Sequence, residues 1–124
     1  MKKTCNKREI GSKYEELAAA YLMEQGYKIL EKNFHAGKYG ELDLIAEEKD
    51  GTLVICECKY RSENTYGDPL MAVDKRKQRQ ICRTTLFYFG RHGYGIEHKC
   101  RFDVIGICGD ETILHIKNAF EFQI

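Results

Sequence analysis

Two acids and an amine, Asp43, Glu57 and Lys59, fall within one stretch, GELDLIAEEKDGTLVICECKYR, residues 40–61. Carboxylates gathered in a folded chain suit hard cations such as Mg²⁺ or Mn²⁺. Local pattern can gather these three. Residues 40–48 alternate, with Leu42, Leu44 and Ala46 set against Glu41, Asp43 and Glu47, as a strand requires. Residues 52–60 begin apolar at Leu53, Val54 and Ile55 and end Cys56-Glu57-Cys58-Lys59. The link between them, Lys49-Asp50-Gly51, ends in glycine, which takes positive φ without a Cβ clash and closes a three-residue hairpin loop. That loop sets Glu48 opposite Thr52, hence Asp43 opposite Glu57 and Glu41 opposite Lys59.

Opposed side chains in such a pair lie about 5 Å apart, and like charges so placed are destabilising unless a cation lies between them. The same pattern has a plainer reading, a solvated strand face carrying a Glu41–Lys59 pair. Cys56 and Cys58 fall on the other face and read as small buried residues.

The hairpin needs a frame. Residues 12–25 read as a helix whose Tyr14, Leu17, Ala18, Tyr21 and Leu22 share a face, stopped by Gly26. Ser12-x-x-Glu15 matches a capping box. Residues 27–35 alternate as a strand, and His35 reads as exposed. After Lys59 comes a polar loop, residues 61–67, in which Arg61 is a candidate phosphate ligand. Asp68-Pro69 is a helix-start signal, and Asp74 can cap a second start. The second helix is expected over residues 74–89, ending at Gly90, with a packing stripe of Gln78, Cys82, Thr85, Leu86 and Phe89. Lys75, Arg79 and Arg83 recur every fourth residue, with Arg76 beside them and no acid at i+4. That row is expected to cover one exposed face and suits a phosphate backbone. Residues 101–108 and 112–117 read as two further strands. Asp103, bracketed by apolar residues, is expected to pair with a cation in a structural role.

The chain has 124 residues, 31% charged and 43% hydrophobic, with net charge +1. This is an ordinary composition for one domain over residues 1–124, with residues 1–10 expected to be flexible. Neither a signal peptide nor a run long enough to span a bilayer is visible, so a cytoplasmic protein with no membrane partner is expected. The six cysteines, at 5, 56, 58, 82, 100 and 108, lack CxxC spacing and read as reduced thiols rather than a zinc site or a disulfide framework. Charge is distributed unevenly: residues 41–50 are acidic and residues 75–83 basic.

Asp43 followed by Glu57-x-Lys59 on the next strand resembles the metal site of the PD-(D/E)XK nuclease superfamily, with Leu42 where that pattern has proline. The segments GSKYEELAAAYL, GELDLIA, ECKYR, GDPLMAVDKRK, RFDVIGI and HIKNAF resemble the YraN-like family of small bacterial proteins over nearly the whole chain. The resemblance implies a restriction endonuclease-like α/β fold, a central mixed sheet of about five strands flanked by helices in the order α-β-β-β-α-β-β. It implies Mg²⁺ (or Mn²⁺) held by Asp43, Glu57 and the backbone carbonyl of Cys58. Lys59 then stands beside the attacking water, and Glu15, the capping-box acid, has a second reading as a member of the cluster. The implied function is a metal-dependent endonuclease cutting branched or single-stranded nucleic acid, DNA ahead of RNA, with Arg61, Lys75, Arg76, Arg79 and Arg83 on the backbone. A homodimer would suit a junction cutter. Two alternatives stand beside it: a non-catalytic nucleic-acid-binding or repair-partner protein on the same scaffold, and a purely structural domain.

Overall fold

The computed structural model describes residues 7–61 and 73–123. In chain order these form α1 (Lys7–Glu24), β1 (Lys28–His35), a 3-10 turn (Gly37–Tyr39), β2 (Glu41–Glu47), β3 (Leu53–Arg61), α2 (Lys75–His92), β4 (Cys100–Cys108) and β5 (Ile113–Phe120). The five strands make one sheet in the order β1-β2-β3-β4-β5. The β3–β4 pair is parallel and the other three are antiparallel. The α-β-β-β-α-β-β order and the mixed five-stranded sheet are those expected. Among the described residues no helix is long and apolar enough to cross a membrane.

Each face of the sheet is covered by one helix. Ala18, Ala19 and Leu22 of α1 pack with Leu44, Ala46, Val54, Cys56, Ile105 and Ile107. Ile81, Cys82 and Phe89 of α2 pack with Ile45, Leu53, Ile55, Phe102 and Val104. Strand alternation therefore turns Cys56 and Cys58 toward α1, as expected, and Glu57 and Lys59 toward α2.

The hairpin loop forms as its glycine requires. Gly51 has φ +91°, the Glu48 amide donates to the Thr52 carbonyl at 2.9 Å, and the Gly51 amide donates to Glu48 at 2.9 Å. Leu44 faces Cys56 and Ala46 faces Val54, the register read from the sequence.

Several element limits differ. α1 starts at Lys7, so residues 7–10 are helical and Ser12 lies inside the helix rather than at its start. α2 runs through Gly90 to His92, because the glycine in the left-handed conformation is Gly93, with φ 74° and its amide on the Phe89 carbonyl. β5 extends to Phe120, three residues past its expected end, across an irregularity at Asn118, whose φ is +52°. β1 begins one residue late, at Lys28, and likewise contains a positive φ, +52° at Asn33. The packing stripe of α2 is broader than expected, taking in Ile81, Thr84 and Tyr88. Asp74 does cap α2, accepting from the Lys77 amide at 2.8 Å. The Asp68-Pro69 signal lies outside the described residues.

Gly40 joins the turn to β2 at φ +135°, a conformation essentially reserved for glycine. A Cβ there would stand 2.9 Å from Gln80 Nε2 and 3.0 Å from Thr84 Oγ1. The start of β2 is thus pressed against α2, which fixes where Asp43 emerges.

Candidate metal-binding site

The β2–β3 ladder ends at Leu44↔Cys56. Past that point β3 continues on β4 as far as Arg61↔Cys108, while β2 continues on β1 to His35↔Glu41. The two strands part like a fork. The alternation of an antiparallel ladder makes Leu42 and Cys58 the next hydrogen-bonded position, but the Cys58 amide donates instead to Asp43 Oδ2 at 2.9 Å. A side-chain carboxylate has replaced a backbone carbonyl in the ladder. β2 rolls over at this residue: Leu44 packs toward α1, whereas Leu42 packs toward α2. The roll falls opposite the positive-φ Asn33 of β1. Asp43 consequently lies near the plane of the sheet, aimed at β3.

Glu57 is only 6% exposed. Burial first, then the Asp43 carboxylate within hydrogen-bonding reach, pushes its carboxyl up to about 8. Two ammonium groups oppose that shift without cancelling it. Lys59 Nζ lies 3.9 Å and Lys77 Nζ 4.0 Å from Glu57 Oε1. Glu15 of α1 approaches the same pair from the other helix. Burial and then the charges of Asp43 and Glu41 raise its carboxyl, against a hydrogen bond from Asn33. Glu15 Oε2 is buried with no hydrogen-bond partner among the described residues.

The sequence-expected residues divide accordingly. Asp43, Glu57 and Lys59 come together, with Glu15 behind them. Glu41 does not face Lys59, because the fork has opened by then; it is exposed and lies 3.4 Å from the exposed His35. Arg61 ends β3, two residues beyond Lys59. Arg76, Arg79 and Arg83 are exposed on α2. Lys75, also exposed, lines a separate hollow beside Glu121 and Gln123, whereas Arg76 and Arg83 line a groove with Lys38 and Tyr39. Positions four apart drift about 40° per step around a helix of 3.6 residues per turn, so the exposed row fans out and its two ends line different hollows. Lys77 and Asn33 were not singled out from the sequence. Lys77 shares i, i+4, i+7 spacing with the buried Ile81 and Thr84, a signal that it points at the sheet.

Two carboxyls, Glu57 raised by burial with Asp43 beside it, meet two lysines at the fork. In an extended strand the N–H and C=O of one residue point the same way, so the Cys58 carbonyl faces the fork as well. Among the described residues no three His, Cys, Asp or Glu side chains gather around one point, so Glu15 stands near the pair without completing a three-acid set. The donors fit a hard cation that takes one or two carboxylates and keeps much of its water, the habit of Mg²⁺.

The profile of the uncharacterised protein family UPF0102 matches residues 14–107. A UPF0102 protein of Pelobacter propionicus is 44% identical over 119 residues, covering 92% of this chain and 84% of its own. A UPF0102 protein of Trichlorobacter lovleyi is 40% identical, covering 90% of each. One of Thermodesulfovibrio yellowstonii is 44% identical, covering 90% of this chain and 96% of its own. The chain belongs to the UPF0102 family. Among solved structures, the structure of an EndoMS–dsDNA2 complex aligns at 19% identity and TM-score 0.46, over 86% of this chain and 37% of that one. Pyrococcus furiosus SfsA in complex with Ca²⁺ aligns at 13% identity and TM-score 0.38, over 90% and 64%. This chain spans less than two thirds of either protein.

Proposed function

We propose that this protein is a metal-dependent endonuclease of the restriction endonuclease-like type, hydrolysing phosphodiester bonds in branched or single-stranded nucleic acid. The observation that carries the reading is the pairing of buried Glu57 with half-buried Asp43 in the fork of β2 and β3, with Lys59 and Lys77 within 4.0 Å of Glu57. Burial and the neighbouring Asp43 carboxylate favour the protonated form of Glu57, and a divalent cation bound between the two acids would take the place of that proton.

Asp43, Glu57 and the Cys58 carbonyl would hold Mg²⁺ or Mn²⁺. Bound there, the ion lowers the pKa of a water and offsets charge growing on the phosphate. Lys59 orients that water or stabilises the developing negative charge as a cation. Lys77 neutralises Glu57 and faces the groove along α2, where it can meet a phosphate oxygen. Glu15, raised and lacking a partner for one oxygen, would accept from a water beside the acid pair. The exposed cations of α2 and Arg61 carry the nucleic-acid backbone.

Calorimetry with Mn²⁺ tests the site first. The expected result is binding that raises the melting temperature and, near neutral pH, releases protons as Glu57 ionises, so affinity rises with pH toward about 8. Asp43→Asn and Glu57→Gln should each abolish both effects. Cleavage of labelled flaps, junctions and single strands should then require the ion, vanish in those variants, and fall at least about 100-fold in Lys59→Met. Cleavage that persists unchanged in Asp43→Asn and Glu57→Gln removes this site from the reaction. Binding of nucleic acid without hydrolysis across the whole panel selects the non-catalytic alternative.

A further inference from the structure

The groove along α2 has two chemically distinct halves. In the first, a hollow of about 540 Å³, the walls carry Lys38, Arg76, Lys77 and Arg83, and the lone acid is Asp74, whose carboxylate already accepts from the Lys77 amide. Among the described residues no carboxylate lies within ion-pairing distance of Lys38, Arg76 or Arg83. The second half, about 620 Å³, begins on the far side of Tyr39 and Arg83 and is floored by Leu86, Phe87 and Gly90.

Two aromatic rings meet at the head of the second half. Tyr39 ends the 3-10 turn and Phe87 lies on the outer flank of α2. Their centroids are 4.5 Å apart and their planes are tilted by 30°. They are 49% and 44% exposed, unlike the buried rings that hold the core. Arg76, Gln80, Arg83 and Phe87 recur at i, i+4, i+7, i+11, so one helix flank presents cations and then a ring in sequence. Lys77 belongs to the groove and also lies 4.0 Å from Glu57 Oε1, which joins this path to the acid pair. From Lys77 to Phe87 the helix rises about 15 Å, the length of about four phosphates at duplex spacing.

We infer that the groove seats single-stranded nucleic acid, with an unpaired base stacked on an outer face of the Tyr39–Phe87 pair, whose inner faces cover each other, and the backbone running past Arg83 and Arg76 toward Asp43 and Glu57. This rests on the nucleic-acid reading of the site and adds the form of the strand. Cations alone would accept a duplex equally, since phosphates carry no information on pairing. An exposed ring pair beside them rewards only a base whose face is uncovered, and inside a duplex both faces are taken by neighbours. Stacking on rings combined with a basic trough is the general physics of binding unpaired strands.

The test is fluorescence anisotropy in EDTA, where hydrolysis cannot intervene, with a short labelled oligothymidylate and a blunt duplex of equal length. Wild type should prefer the single strand. Tyr39→Ala with Phe87→Ala should weaken that binding about ten-fold and leave duplex binding unchanged. Tyr39→Phe with Phe87→Tyr keeps two rings and should restore the preference. Arg76→Glu with Arg83→Glu should weaken both forms. Circular dichroism melts show whether each variant is folded, and the ring-conserving pair serves as the readout if the alanine pair is not. Equal loss on both forms, no loss on either, a wild-type preference for duplex, or wild-type binding to neither overturns the inference; the last would leave the groove to a protein partner. Cleavage with Mn²⁺ is scored separately. Cleavage combined with ring-independent binding defeats this inference alone, whereas ring-dependent binding without cleavage defeats only the hydrolase.

Discussion

Asp103 and Glu57 are both buried acids on neighbouring strands, and their environments push them in opposite directions. Glu57 faces α2 and Asp103 faces α1. Burial also pushes Asp103 up, but hydrogen bonds from His115, Arg101 and the Asn118 amide outweigh it and hold the carboxyl below its ordinary value. His115 Nε2 lies 2.7 Å from Oδ2, Arg101 Nε 3.0 Å from Oδ1, and the Asn118 amide 2.9 Å from Oδ1. Arg101 extends the network to Glu48 at 2.7 Å and to the Tyr27 hydroxyl at 2.6 Å. With Nε2–H donating to Asp103, His115 Nδ1 accepts from the Tyr21 hydroxyl at 3.0 Å. Every atom of one acid has a partner, while the other acid leans on a second carboxylate. The lesson is that depth does not set the charge of a buried acid; the inventory of donors does. An acid ringed by donors belongs to the architecture, whereas one set against a second carboxylate is a candidate for a ligand.

The contrast can be broken most forcefully at Asp103. Asp103→Ala leaves Arg101 half-paired and His115 without its acceptor, and should cost about 3–5 kcal/mol in urea unfolding. A loss below about 1 kcal/mol would mean that the network is ornamental. Next in size is the pH dependence. Glu57 has a folded pKa raised to about 8 from 4.5, so the native state keeps a proton that the unfolded chain releases. Its contribution to stability is full below about 4.5 and is lost as pH rises toward 8, with a slope of at most about 1.4 kcal/mol per pH unit. Asp103, lowered, contributes above its unfolded pKa of 3.8 and loses that contribution as pH falls further. Glu57→Gln should flatten the upper limb and leave the acid limb intact; a slope unchanged by that variant would contradict a raised Glu57. Smallest is Tyr21→Phe, which removes one hydroxyl from the far end of the satisfied network and should cost about 1 kcal/mol, with the Glu57 limb unaltered.

Much of the open region was legible because local rules determine it. A glycine-ended three-residue loop fixes the hairpin register, and alternation does the rest, so Asp43 and Glu57 could be paired from the chain alone. The fork could not be read, because it depends on which neighbour each strand follows after Leu44, and that choice is made by β1 and β4. Asn33 and Asn118 look like ordinary strand residues, yet each takes a left-handed conformation that only the surrounding ladder reveals. The helix limits failed for a related reason. Residues 7–11 carry no apolar period, so Ser12 looked like a cap, and Gly90 looked like the stop. The helix instead runs on to Gly93, with Tyr94 packed on Phe89 at 5.5 Å. Lys77 was hidden because attention to exposed cations favours a spacing of four, and Lys77 turns inward. The partners of Asp103 were foreseen only as a cation. His115 comes from the next strand, reached through a register shift.

That register shift also has an outward side. β5 is the last strand of the sheet, so its far edge offers backbone amides and carbonyls to any passing chain, the template from which edge-to-edge aggregation grows. Its pairing with β4 slips between Phe102 and Val104, where Asn118 adopts its left-handed turn under the hold of the Asp103 carboxylate. The rim is therefore crooked at that point, and no straight guest strand can zip along its full length. An acid sealed inside the molecule thereby guards the molecule's border.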